Sequence, residues 1–290
     1  MADRKIVVGV HAHGSKHWVG DGFPVRNVFP SSGVSEEMNP FILLDYMGPA
    51  HVPPSDHQRG VGEHPHRGFE TVTLVYQGKL AHRDSSGNSG MIGPGDVQWM
   101  TAASGVVHEE LHEREFAKMG GTVEGIQLWV NLPKAHKMSQ PGYQGLRKDQ
   151  IPEVKLAPGA SARVIAGALE GATGPARTFT PMNVLDVHLR SGSRADLHLP
   201  EGHNTGIVLR KGDIEINGST PLKGEAMLVV LSAPGSLVSL EAREDSDLVV
   251  LTGEPIPEPV VQHGPFVMNT EEEIRQAFLD YKGGRMGRLT

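Results

Sequence analysis

Glycine and proline punctuate the chain from end to end. Among 290 residues there are 36 Gly and 21 Pro, so no long uninterrupted element can form over most of the length. Gly opens backbone conformations of positive φ and Pro fixes φ near about −65°, and both end strands and helices. The runs between them read as strands. Residues 183–189, 206–210, 214–216, 227–231 and 248–251 are rich in Val, Leu and Ile and are separated by turns such as Lys211-Gly212-Asp213. Short strands repeated in this way describe a β-sandwich or barrel. The length suits two domains of ordinary size or one large all-β unit.

Composition removes several kinds of function. The formal net charge is −7 and no run of Lys or Arg is long enough to follow a phosphate backbone, which argues against direct nucleic-acid binding. There is no Cys, hence no disulfide, no thiolate ligand and no Cys nucleophile. Any metal must sit on nitrogen and oxygen donors. The opening residues 1–10 contain Arg4 and Lys5 but too short an apolar run for a signal-peptide core, and no segment reaches membrane-spanning length. A cytoplasmic protein without membrane contact is expected.

One segment departs from the β pattern. Thr270 followed by Glu273 forms a capping box, and Ile274, Ala277, Phe278 and Tyr281 recur at helical spacing until Gly283-Gly284. This stripe reads as the packing face of a terminal helix rather than as a partner-binding face.

Eleven of the fifteen histidines precede residue 140, which places the chemistry in the first half. Side chains alternate along a strand, so His64, His66 and Glu70 share a face with Val72, Leu74 and Tyr76, leaving Thr71 and Thr73 opposite. By the same rule Val106, His108 and Glu110 share a face, whereas Glu109 points away. Three neutral imidazoles and a carboxylate suit a divalent first-row transition ion and leave coordination positions open for substrate. A His-x-His pair alone carries little weight, and His11-Ala-His13 is such a pair with no matching second segment.

The combination of His64-Pro65-His66 with Gly105-x-x-His108 resembles the two motifs of the cupins. Gln58 stands where the first motif usually has Gly, and Gly78 comes one residue late; Thr101 and His112 replace the usual Pro and Asn of the second. Those departures fit the version found in the pirin family. Segments 64–72, 95–102, 107–110 and 127–132 are similar to pirin segments, as are 17–26, 43–49 and 253–270. The likeness covers nearly the whole chain. It implies an all-β bicupin, two antiparallel barrels with a C-terminal helix: a metal-binding barrel at 1–132, a linker at 133–152, a metal-free barrel at 153–255, and an extension at 256–290 whose helix packs on a barrel.

Carried onto this chain, the pirin ligands fall on His64, His66, His108 and Glu110. Glu70, which the general cupin pattern would make a direct ligand, is then left to orient an imidazole or a nearby arginine. Trp99 and Trp129 read as core residues, and Arg67 as a salt-bridge partner. The second half offers His198 and His203 but no His-x-His pair. The resemblance further implies one ion, Fe(II) first with Mn, Ni, Cu or Zn as alternatives. The implied activity is oxygen-dependent ring cleavage of flavonols such as quercetin, with Glu110 as catalytic base. The alternative is a regulatory protein whose metal state governs binding to a transcription factor or metabolic enzyme.

Overall fold

The computed structural model describes residues 3–30 and 33–289. Over those residues the chain forms two compact units that interleave along the sequence. One groups Met1–Gly14, Asn27–Ile42 and Asp149–Pro255; the other groups Ser15–Arg26, Leu43–Lys148 and Ile256–Thr290. The division expected from the sequence was sequential, and the two differ at both ends of the chain. The strand Val7–His11 pairs with Met227–Leu231, Val7 opposite Leu231 and His11 opposite Leu228. The extension from residue 256 belongs with the unit that carries His64, His66 and His108.

Each unit holds one seven-stranded and one four-stranded sheet, a β-sandwich whose sheets do not join into the closed ring expected of a barrel. In the unit formed mainly by the second half, the large sheet runs from Val7–His11 to Glu153–Ala157, and the small one comprises Arg194–His198, Leu237–Ala242, Asp213–Ile216 and Thr220–Lys223. Its inward positions line up in apolar layers. Val164 lies opposite Leu185, Leu185 opposite Val250, Val250 opposite Ile207 and Ile207 opposite Val229. All five are fully buried, each contributing roughly 1.5–3 kcal/mol of transfer free energy.

In the other unit the large sheet is ordered Gly142–Leu146, Val97–Thr101, Phe69–Gln77, Gly121–Asn131, Phe41–Val52, Phe23–Phe29 and Lys16–Val19. The small sheet is ordered Gly60–His66, Val106–His112, Leu80–Asp84 and Ser89–Ile92. Residues 142–146, expected within a linker, instead extend the large sheet, with Gly142 opposite Thr101 and Leu146 opposite Val97. Nearby Lys137 is buried and donates to the carbonyls of Gly68 and Val267 and to Asn131 Oδ1. Segment 133–148 is thus a structured part of this unit, because a free sheet edge and a cluster of orphan carbonyls recruit it.

The terminal helix spans Glu271–Lys282, and its capping box is complete: Glu273 N donates to Thr270 Oγ1 at 3.2 Å and Thr270 N to Glu273 Oε2 at 3.0 Å. Ile274 and Ala277 are buried against Val107, Phe266, Met268 and Met286, with Phe278 packed beside them. Tyr281, placed on the same face by the sequence, is exposed, and Asp280 turns inward in its stead. Arg67 explains the difference. Its guanidinium, with the side chain 4% exposed, meets the Asp280 carboxylate at 2.7 Å and donates to Ser104 O at 2.7 Å. Burial alone would raise the Asp280 carboxyl, but hydrogen bonds from Arg67, Gln276 and Arg285 hold it down at about 2. Among the described residues no helix is long and apolar enough to cross a membrane.

The packing separates two neighbouring positions of this helix. Ile274→Ala should cost about 2–5 kcal/mol through the cavity it leaves, whereas Tyr281→Ala should stay within about 0.5 kcal/mol, both read by urea denaturation.

Candidate metal centre

The strand Val106–His112 lies between Gly60–His66 and Leu80–Asp84 and pairs with both. His108 faces His64 on one side and Asp84 on the other; Val106 faces His66; Glu110 faces Val61 and His82. Directly opposed residues project from the same face of a sheet, so His64, His66, His82, His108 and Glu110 all point into the sandwich. The register shifts between His108 and Glu110.

Three rings meet there. Ring centroids are 4.2 Å apart for His64 and His108, 4.8 Å for His64 and His66, and 4.9 Å for His66 and His108. Each presents a nitrogen, and these nitrogens lie within 4.8 Å of one another. Carbonyls accept but never donate, so Nδ1 of His64 donates to Gly62 O at 2.8 Å and Nδ1 of His66 to Pro265 O at 3.3 Å. That fixes Nε2 as the lone-pair nitrogen of both rings. Nε2 of His108 is buried without any hydrogen-bond partner, an unmet need that a cation would satisfy and that otherwise costs about 1–3 kcal/mol. Burial first, and the neighbouring imidazoles second, push His66 and His108 well below the usual histidine range. Both rings stay neutral at physiological pH, the state that binds metal. The residues therefore fit a divalent ion on nitrogen and oxygen donors.

Glu110 lies two residues beyond His108 on the same strand. Its Oε1 accepts from Thr73 Oγ1 at 3.2 Å and Gln98 Nε2 at 3.4 Å. It forms a second close group with His108 and His82, a histidine that the sequence pattern passes over. A cavity of about 170 Å³ adjoins His64, His66 and Glu110, walled by Phe23, Val25, Met47, Leu80 and Trp129 among others. Trp129, expected in the core, lines this space with its ring edge-on to His66 at 5.2 Å. Trp99 is core as expected, at 0% exposure.

The alternation rule placed Glu70 beside His66, and the structure turns it away. Between them the chain leaves the small sheet for the large one through Gly68 at φ +89°, where a Cβ would stand 1.9 Å from Val267 O. The turn shifts parity by one residue. Thr73 therefore faces Glu110, while Glu70 lies opposite Thr101 and accepts its hydroxyl at 2.7 Å. Neither an imidazole nor Arg67 is oriented by Glu70; its Oε2 is buried without a partner.

Known families and relatives match the chain along most of its length. Residues 22–130 match the family description Pirin, and residues 184–287 match Pirin C-terminal cupin domain. Pirin of Rattus norvegicus is 38% identical over 86% of the chain and 83% of its own length. The chain belongs to the pirin family. A Pseudomonas aeruginosa relative, provisionally named a quercetin 2,3-dioxygenase, is 49% identical over 97% of this pirin-family chain and 98% of its own length. The crystal structure of a quercetin 2,3-dioxygenase from Acinetobacter baumannii superimposes with a TM-score of 0.95 at 47% identity, covering 99% of both chains.

Glu70 supplies a test of the corrected register. Burial lifts its carboxyl to about 7 even though Thr101 donates to it. A folded-state value above the unfolded one favours folding while the group is protonated, and that stability is lost as pH rises from about 4.5 through about 7. Glu70→Gln, which cannot ionise, should thus gain on wild type by about 2 to 3 kcal/mol between pH 5 and pH 8, measured by denaturant unfolding at both pH values.

Proposed function

We propose that the centre holds one divalent transition ion on His64, His66 and His108 with Glu110, and that the protein opens the ring of a flavonol-type substrate with dioxygen. The observation that carries this reading is the placement of three inward imidazoles and a carboxylate against a cavity walled mostly by apolar side chains, Phe23, Val25, Met47, Leu80 and Trp129 among them, with Asp45 and Gln127 as further polar groups. Apolar walls accept a flat aromatic molecule and exclude water, and the few polar groups fix its orientation. The names of the Pseudomonas and Acinetobacter relatives support the same substrate class.

The ion, when bound, would supply open positions able to polarise a neighbouring hydroxyl and carbonyl of the substrate. The protein's own part is to hold the ligands and to manage a proton. Burial keeps His66 and His108 neutral, and the carbonyls of Gly62 and Pro265 lock the rings of His64 and His66. Glu110, steadied on one oxygen by Thr73 and Gln98, keeps a second oxygen to accept the flavonol hydroxyl proton. Fe(II) is the first candidate ion and Mn, Ni, Cu or Zn the alternatives, because the same donors suit all of them.

Elemental analysis of protein purified without added metal should give one divalent ion per chain. Quercetin absorbance should then decay under air and persist under nitrogen. Glu110→Gln, at matched metal content, should slow the decay by about 10² to 10⁴, the usual worth of a positioned base. A rate that falls only in proportion to bound metal would reduce Glu110 to a tether. Wild type that leaves quercetin intact with every one of these ions would transfer the assignment to metal-governed partner binding.

A further inference from the structure

Behind the three-imidazole group a second set of donors closes around a different point. His82 is 4% exposed, lies opposite Glu110 in register, and its Nδ1 is 3.4 Å from Nδ1 of His108. The amide of Gln98, itself 1% exposed, is 3.2 Å from His82 Nδ1 and 3.4 Å from Glu110 Oε1. His82, His108 and Glu110 each offer a ligand atom within 4.8 Å of the others. Four donors around a tetrahedral ion with bonds of 2.0–2.1 Å stand about 3.3 to 3.4 Å apart. The separations of 3.2 Å and 3.4 Å among these side chains match that edge. A half-turn of the Gln98 amide, which exchanges its nitrogen for its oxygen, makes all four groups donors.

We infer that His82, His108, Gln98 and Glu110 form an inner cation position, distinct from the three-imidazole group and suited to a small four-coordinate ion such as Zn²⁺. His64 and His66 take no part in it. The two positions exclude each other through one ring. An ion among His64, His66 and His108 takes Nε2 of His108 and leaves Nδ1 protonated to donate to His82; an ion at the inner position takes Nδ1 and leaves the proton on Nε2. A neutral His108 serves one ion at a time, so a tetrahedral ion lodged inside would displace the one beside the cavity. This inference does not depend on which reaction the centre performs.

The test uses the full chain and Co(II) as probe, since four-coordinate Co(II) absorbs visible light far more strongly than six-coordinate Co(II). Wild type, the double variant His64→Ala/His66→Ala, and the double variant carrying His82→Gln in addition are titrated with Co(II). Bound ion is counted by equilibrium dialysis, imidazole ligands are counted by X-ray absorption, and folding is checked by circular dichroism. The double variant should bind one Co(II) with the strong four-coordinate spectrum and two imidazoles, and His82→Gln should raise its Kd by at least about tenfold. Gln98→Leu serves as a second probe of the same position should the triple variant unfold. A folded double variant that binds no Co(II), or binding indifferent to both His82→Gln and Gln98→Leu, overturns the inner position and leaves the proposed three-imidazole centre standing. Wild type that binds no Co(II) at all overturns both.

Discussion

Holding three imidazoles with centroids under 5 Å apart requires strands that cannot slip, and the pairing of Val106–His112 on both of its edges provides that restraint. A slip of one residue would turn His108 and Glu110 to the opposite face and bring Val107 and Glu109 inward. Paired on one edge alone, the strand could slip by breaking one ladder; paired on both, it must break two. The register shifts only on the side of Gly60–His66, where His108 stays opposite His64 and Glu110 comes opposite Val61, while the unbroken pairing with Leu80–Asp84 sets the carboxylate against His82. Everything chemical at the centre follows from this: depressed imidazole basicity, lone pairs turned inward, and a carboxylate within reach of Thr73 and Gln98.

The features that could be read in the sequence were those a single continuous element decides. Alternation over 106–110 turns Glu110 toward His108 and Glu109 toward Arg83, as the structure has them, because that stretch is one strand. The Thr270 to Glu273 capping box was legible because both partners lie within four residues. Alternation failed from His66 to Glu70 because Gly68 moves the chain from one sheet to the other, and parity does not survive a change of sheet. Tyr281 was assigned inward by helical spacing, but an ion pair with Arg67, far away in sequence, rotates Asp280 into that place. His82 left no motif: one histidine in Leu80–Asp84 becomes informative when the strand is seen against Glu110.

The two units show what an imidazole centre costs. Both combine a seven-stranded with a four-stranded sheet, yet the inward layers of one are Val, Leu and Ile while the other buries His66, His82, His108, Gln98 and Thr73. The apolar layers need only complementary shape. Buried polar groups need partners as well, and each one left unsatisfied costs about 1–3 kcal/mol.

Much of that need is met by chain far away in sequence. Pro265 O fixes the tautomer of His66 across 199 residues, Val267 O and Gly68 O share the ammonium of Lys137, and Asp280 balances Arg67 one residue beyond His66. Burial draws Lys137 down to about 7, so even this brace is tolerated only because three oxygens surround it. The segment from 256 onward is therefore more than a cover over apolar surface. By supplying carbonyls and a carboxylate to the turn at Arg67-Gly68, it holds that turn in the one conformation that keeps His66 facing inward while Glu70 faces away, and the strand Gly60–His66 and the terminal helix become parts of one polar framework.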